Sequence, residues 1–153
     1  VIEELRSKNL FEPLRSLYES DIKLLGLCAG MQIMGEASQE NPGVKGLGWF
    51  TYENIELVNN IERRSFHTGW NSIRVKENHK LLSVSNESSF YFNHSYYVPK
   101  IEEVPENFGS TDFLESTMVS IFKHNNVMGM QFHPEKSQST GLRLISNFLN
   151  WRP

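Results

Sequence analysis

The sequence is short of cysteine, of surplus positive charge and of long apolar runs, and each shortage removes a class of protein. One cysteine in 153 residues cannot form an internal disulfide or a zinc site built on several thiolates. A reducing, cytoplasmic setting is the expectation. Fifteen Lys and Arg against eighteen Asp and Glu leave a formal charge of −3. No cationic surplus stands ready for a phosphate backbone, so nucleic acid is not an expected partner. No apolar stretch approaches the roughly 20 residues that span a bilayer, and no basic-then-apolar leader opens the chain, so a membrane is not expected either. The chain starts at Val1 rather than Met, which reads as a processed or truncated start. What the sequence does hold is aromatic: ten Phe, five Tyr and three Trp. That is enough for one core, and 1–153 reads as a single domain.

Apolar spacing predicts two short helices over 1–19, separated near Asn9 and Pro13. Asp21–Leu27 is too short and too apolar for a surface helix and reads as a strand of a parallel sheet, covered on both faces. Residues 31–38 read as helix, with loops at Asn41-Pro42-Gly43 and Gly46-Leu47-Gly48. Strands are expected at Trp49–Val58, Asn71–Val75 and Phe90–Val98, and residues 100–116 read as an acidic, irregular surface loop. Met118–Lys123 and Val127–Phe132 suit a hairpin through His124-Asn125-Asn126, and a closing helix runs from about Thr140. Helices at both ends, an early parallel-type strand and later antiparallel strands make a mixed α/β domain.

Gly26-Leu27-Cys28-Ala29-Gly30 carries the most chemistry. A reactive side chain between two glycines, after a strand and before a helix, has the form of a nucleophile elbow. Helix N–H groups at such a turn favour thiolate and can cradle an oxyanion. A lone cysteine is more often an inert core residue, so a partner base is required. Phe132-His133-Pro134-Glu135 supplies one at the end of a strand. A carboxylate on one ring nitrogen of His133 would fix its tautomer and leave the other nitrogen to take a proton from sulfur. A metal site from His67, His94 and His133 lacks helical or short-loop ligand spacing.

With both halves in view, the sequence resembles the class I (triad) glutamine amidotransferases, in the branch of glutaminase subunits of imidazole glycerol phosphate synthases. Five blocks in order carry the resemblance: Leu25–Gln32, Gly46-Leu47-Gly48, His67-Thr68-Gly69-Trp70-Asn71, Tyr91–Tyr96 and Gly129–Ser137. The resemblance implies a flavodoxin-like mixed sheet with flanking helices, with Cys28 as nucleophile, His133 as base and acid, and Glu135 as its orienter. It implies that Ala29 and Gly30 lie at the substrate carbonyl, Gln32 contacts bound glutamine, and Glu40 holds the α-amino group. The backbone of His94, Ser95 and Tyr96 would complete the pocket. No metal or organic cofactor is implied, and the partner would be a (β/α)₈-barrel synthase forming a heterodimer. Two alternatives stay open: the same chemistry serving surface-polysaccharide amination, and a non-catalytic partner-binding module. Family members carry further strand–helix units ahead of the position of Val1, ending in a Pro-Gly-x-Gly oxyanion loop. Without them the 22–27 strand is expected to present an unpaired edge.

Overall fold

The structure is a computed structural model that describes residues 1–58, 65–75, 88–99 and 107–153, with backbone alone at 107 and 108. Two helices, α1 (Ile2–Ser7) and α2 (Phe11–Tyr18), lead into strand β1 (Leu24–Leu27) and the one-turn helix α3 (Ala29–Gln32). Asn9 makes the break between α1 and α2 with φ 54°. Pro13 lies inside the first turn of α2, where its missing N–H is no loss. Six strands follow: β2 (Ala37–Ser38), β3 (Glu53–Glu56), β4 (His67–Ser72), β5 (Arg74–Val75), β6 (Ser89–His94) and β7 (Tyr96–Tyr97). Then come β8 (Asn107–Phe113), β9 (Ser116–His124), β10 (Val127–Met130), a 3₁₀ turn at Pro134–Lys136 and helix α4 (Gln138–Asn150).

The main sheet has the order β1-β10-β9-β8-β5, and a three-stranded sheet β2-β3-β7 and the β4-β6 pair lie beside it. Strand β1 runs parallel to β10, from Leu24 opposite Val127 to Leu27 opposite Met130. It stands at the sheet edge, with β10 as its one neighbour among the described residues. Every residue of β10 is buried, because both sheet faces are covered, which explains its unbroken apolar run. Ile121, Met128 and Met130 pack on one face with Phe90, Phe92, Phe132 and the Leu144 and Phe148 stripe of α4. Val119, Phe122 and Val127 pack on the other with Met31, Met34, Phe50 and Tyr52. Leu142 and Leu149, on the neighbouring stripe of α4, stay exposed.

Five expectations need correction. The helix expected over 31–38 stops at Gln32. Beyond it the carbonyls of Ile33, Met34, Gly35 and Glu36 accept N–H groups from Gly46, Leu47, Gly48, Trp49 and Phe50 instead of the next helical turn. Gly35 makes that possible, since a Cβ there would overlap the Tyr52 ring and carbonyl. The strand expected at Trp49–Val58 is confined to Glu53–Glu56. The Asn71–Val75 strand is two strands in two sheets, β4 paired with β6 and β5 with β8, and the Phe90–Val98 strand likewise divides at Ser95 into β6 and β7, the latter paired with β3. The chain changes sheets at Ile73, whose side chain is buried. Finally, much of the expected 100–116 loop is the sheet strand β8, paired with β9 from Asn107 to Phe113. Its polar sequence hid it. Thr111 is fully buried yet satisfied, donating to the Ser72 carbonyl and receiving the Ser120 hydroxyl. The remainder, 100–106, lies outside the described residues.

Helix α4 is pressed against the turn that follows β10. A Cβ on Gly141 would collide with the Pro134 carbonyl oxygen, and the Gly141 N–H bonds to the Ser137 carbonyl at 3.0 Å. Gly141→Ala should therefore lower stability by about 1–3 kcal/mol, the usual cost of overpacking. Urea unfolding would show it; an unchanged midpoint would mean that helix and turn separate freely.

Candidate active site

Cys28 sits at the junction of β1 and α3 with φ 48° and ψ −107°, a region that costs a non-glycine residue roughly 1–3 kcal/mol. The strain is held by its surroundings. The Cys28 N–H bonds to the Met130 carbonyl at 2.7 Å, extending the parallel ladder by one residue into the turn. Gly26 is needed on steric grounds, because a Cβ there would enter Met34 and the Gly30 backbone. Gly30 itself faces open space, so its role is not steric relief.

The thiol is half-buried. It donates to the Asn93 carbonyl and receives the Gln131 side-chain Nε2–H, each at a sulfur-to-partner distance of 3.8 Å. Burial pushes the Cys28 thiol up, the Ala29 N–H pulls it down, and the negative charge of Glu135 opposes ionisation. Gln131 and Lys136 pull it down more weakly. The balance favours the protonated thiol at rest.

His133 follows β10 and is fixed by its backbone. Its N–H bonds to the Tyr91 carbonyl at 2.8 Å, and its carbonyl receives the Ser137 hydroxyl at 2.6 Å. The same hydroxyl accepts the Tyr91 N–H at 2.9 Å, closing a small ring. The imidazole Nδ1 lies 2.7 Å from Glu135 Oε1. A carboxylate at that distance accepts only, so Nδ1 carries the hydrogen and Nε2 presents a lone pair. Pro134 opens the 3₁₀ turn that bends Glu135 back to the ring. Cys28 and His133 thus project from the same end of two adjacent parallel strands. A hydrogen bond between Sγ and a His133 ring nitrogen is not among the thiol's contacts.

A pocket of about 130 Å³ opens beside the elbow, lined by Ala29, Gln32, Ser38, Glu40 and Asn54 together with the start of α1. Three of the residues expected at substrate, Ala29, Gln32 and Glu40, therefore meet on one cavity. Cys28, His133 and Glu135 do not line it, and neither do Gly30, His94, Ser95 and Tyr96. The Ser95 carbonyl accepts the Leu57 N–H at 2.8 Å. The Tyr96 carbonyl accepts Gln32 Nε2 at 2.6 Å and faces His94 Nδ1 at 2.9 Å. Asn54, unmarked in the sequence, donates to the Gln32 and Ala37 carbonyls, and its buried Oδ1 has no partner among the described residues. Gln131, Asn93 and Ser137 were also missed as site residues, though each stands inside a block that carried the resemblance.

His67 and His94 touch one another, with Nδ1 of the first 3.1 Å from Nε2 of the second. Burial lowers them to about 4 and about 3 respectively, and for His94 the neighbouring His67 adds to the effect. Both are neutral at pH 7. Among the described residues no group of His, Cys, Asp and Glu is arranged to hold a metal ion, and no helix is long and apolar enough to cross a membrane.

Residues 3–151 match the family model described as glutamine amidotransferase class-I. Among similar proteins, the imidazole glycerol phosphate synthase subunit HisH of Pyrococcus furiosus is 42% identical over 126 residues, 81% of this chain and 62% of its own. Its namesake in Methanocaldococcus jannaschii is 37% identical over 92% of this chain and 69% of its own. The chain spans only about three-fifths of the length of the first of these relatives. In three dimensions, a crystal structure of a glutamine amidotransferase superposes with a TM-score of 0.67 at 18% identity, covering 97% of this chain and 71% of that one. The PurLQS structure from Thermotoga maritima gives 0.67 at 17% identity, over 92% of this chain and 67% of its own. These likenesses bear out the mixed α/β fold expected from the sequence. The chain belongs to the class-I glutamine amidotransferases.

Proposed function

We propose that the chain is the glutamine-hydrolysing part of an imidazole glycerol phosphate synthase, acting through Cys28, His133 and Glu135. One observation carries the reading: a strained cysteine and a carboxylate-oriented histidine stand at the same end of adjacent parallel strands. Glutamine enters the pocket beside Ala29 with its α-ammonium toward Glu40 and its side-chain amide toward the thiol. His133 Nε2 takes the Cys28 proton as sulfur attacks the amide carbon. The Ala29 N–H supports the developing oxyanion, a contribution worth about 10²–10³-fold in rate for one donor. The protonated imidazole, held by Glu135, then gives its proton to the departing ammonia. The remaining glutamyl thioester is hydrolysed by water that His133 activates, which restores the thiol. No step calls on a metal or an organic cofactor, and a reducing, cytoplasmic setting keeps the thiol free.

The released ammonia has to reach an acceptor, and the names of the similar proteins support a synthase partner. Trp70 is 50% exposed on β4, and its ring meets that of Tyr91 edge-on at 6.1 Å. Lys136 Nζ stands 5.9 Å from the centre of the Tyr91 ring. Tyr91 also carries the backbone bridge to His133. The exposed Trp70 and Lys136, with the half-buried Tyr91 that joins them to the proposed catalytic histidine, suit docking of a (β/α)₈-barrel partner in a heterodimer, with aromatic anchors at its centre.

Cys28→Ala should reduce glutamine hydrolysis at least about a thousandfold while leaving the far-UV circular dichroism unchanged, since it removes the nucleophile and nothing structural. Retained turnover would require another nucleophile. Because burial raises the resting thiol, iodoacetamide should alkylate the unmutated protein with a pH midpoint above that of a free cysteine peptide. A midpoint near 7 would contradict the protonated resting state. Trp70→Ala should weaken partner binding by about 30-fold, near 2 kcal/mol, without altering Cys28 alkylation. Calorimetric titration measures the first and a thiol assay the second.

A further inference from the structure

A continuous line of hydrogen bonds runs from β4 to the thiol, and between Asn71 and the Tyr96 carbonyl its donor sense is fixed from both ends. On the β4 side, Asn71 receives the Ser72 N–H on Oδ1 at 2.8 Å and donates from Nδ2 to the Asp112 carbonyl at 3.0 Å. Its amide orientation is therefore settled. Asn71 Nδ2 also lies 3.2 Å from His67 Nε2, which must accept. His67 Nδ1 then carries the hydrogen and donates to His94 Nε2 at 3.1 Å. His94 Nδ1 in turn donates to the Tyr96 carbonyl at 2.9 Å. A carbonyl only accepts, so the same assignment follows when the chain is read in reverse.

The Tyr96 carbonyl is shared. Gln32 Nε2 donates to it at 2.6 Å and to Gln131 Oε1 at 3.3 Å. With Oε1 turned to Gln32, the Gln131 Nε2 side faces Cys28 and donates one of its hydrogens to Sγ at 3.8 Å. Gln131 is fully buried, and His67 and His94 are 2% and 7% exposed, so water cannot substitute for a missing partner along the way.

We propose that His67 and His94 are positioning residues, a neutral relay that fixes the Tyr96 carbonyl, on which the Gln32 amide also converges, and so holds the Gln131 Nε2–H on Cys28 Sγ. Gln131, which touches the reacting sulfur, is then a catalytic residue that steadies the thiolate as it forms. The proposal rests on the reading of Cys28 as nucleophile, but not on glutamine being the substrate. A proton on either imidazole would place two donors face to face and break the relay. The ionisable groups around it are His133 beside His94, Glu56 at the Tyr96 hydroxyl, and Asp112, whose carbonyl holds Asn71. Those around the sulfur are Glu135 and Lys136.

The test uses the full chain and reads the pH midpoint of Cys28 alkylation by iodoacetamide, which needs no turnover. Gln131→Met, which keeps volume and removes the donor, should raise the midpoint by about one pH unit. His94→Leu should move it in the same direction. The double variant should move no further than Gln131→Met alone, because both changes remove one effect. His94→Gln, whose amide can donate to Tyr96 and accept from His67, should restore the unmutated midpoint. An unmoved midpoint in His94→Leu, additive shifts, or failure of His94→Gln to restore would each overturn the relay. If His94→Leu does not fold, ¹⁵N NMR of the unmutated chain decides. Both imidazoles should be neutral and protonated on Nδ1 at pH 7, and an Nε2–H tautomer or a charged ring would overturn the proposal. Loss of hydrolysis with these thiol results intact would instead count against the substrate assignment.

Discussion

The pairing of β1 with β10 is the contact on which the site depends. Four residue pairs in parallel register set Leu27 opposite Met130, and the next N–H, from Cys28, bonds to the Met130 carbonyl. That extra bond ties the strained turn to the strand that leads into His133. Moving the register by one residue would turn every side chain of β1 to the other face and carry the thiol away from Gln131. Because the two faces are covered by separate apolar clusters, such a slip would turn Leu25 and Leu27 away from one and Leu24 away from the other. Core packing therefore sets the spacing of the reacting groups.

Around this pair the structure uses glycines and polar side chains where close approach leaves no room for apolar ones. Gly35 and Gly46 let the loop at 46–50 take the place of a second turn of α3. That exchange ends the helix early and leaves Gln32 at its last turn, facing both the pocket and the Tyr96 carbonyl. On the other side, Asn126 reaches from the β9–β10 hairpin to the carbonyls of Ser20 and Ile22 at 2.7 and 2.8 Å. It fastens the approach to β1 against the strand that β1 pairs with. Asn125 at φ 48° makes the tight hairpin turn that aims it.

Local chemistry was legible in the sequence and non-local pairing was not. The elbow at Cys28, the His-Pro-Glu turn and the hairpin at 124–126 each follow from residues within a few positions of one another. The buried stripe of α4 through Leu144 and Phe148 follows from helical spacing in the same way. Strand β8 was invisible because its Gly109 and polar residues look like a loop, and only β9 alongside makes them a strand. The end of α3 was invisible for a related reason, since its competing hydrogen-bond donors lie ten or more residues onward. The parts played by His67, Asn71 and Gln131 depend on which strand lies beside which. Spacing along the chain carries no trace of that.

Cys28 and Gln131 are 103 residues apart in the chain, and this separation has a consequence in time. At ribosomal speeds of about 5–20 residues per second, roughly 5–20 s pass between synthesis of the cysteine and synthesis of the strand that completes its surroundings. During that interval the thiol is an ordinary exposed cysteine, with a pKa near ~8.5 and a few per cent of thiolate at neutral pH. Neither the burial that raises it nor the strand that leads to His133 yet exists. The residue is thus most open to oxidants before the fold is complete, and completion of the fold shifts its thiol toward the protonated form.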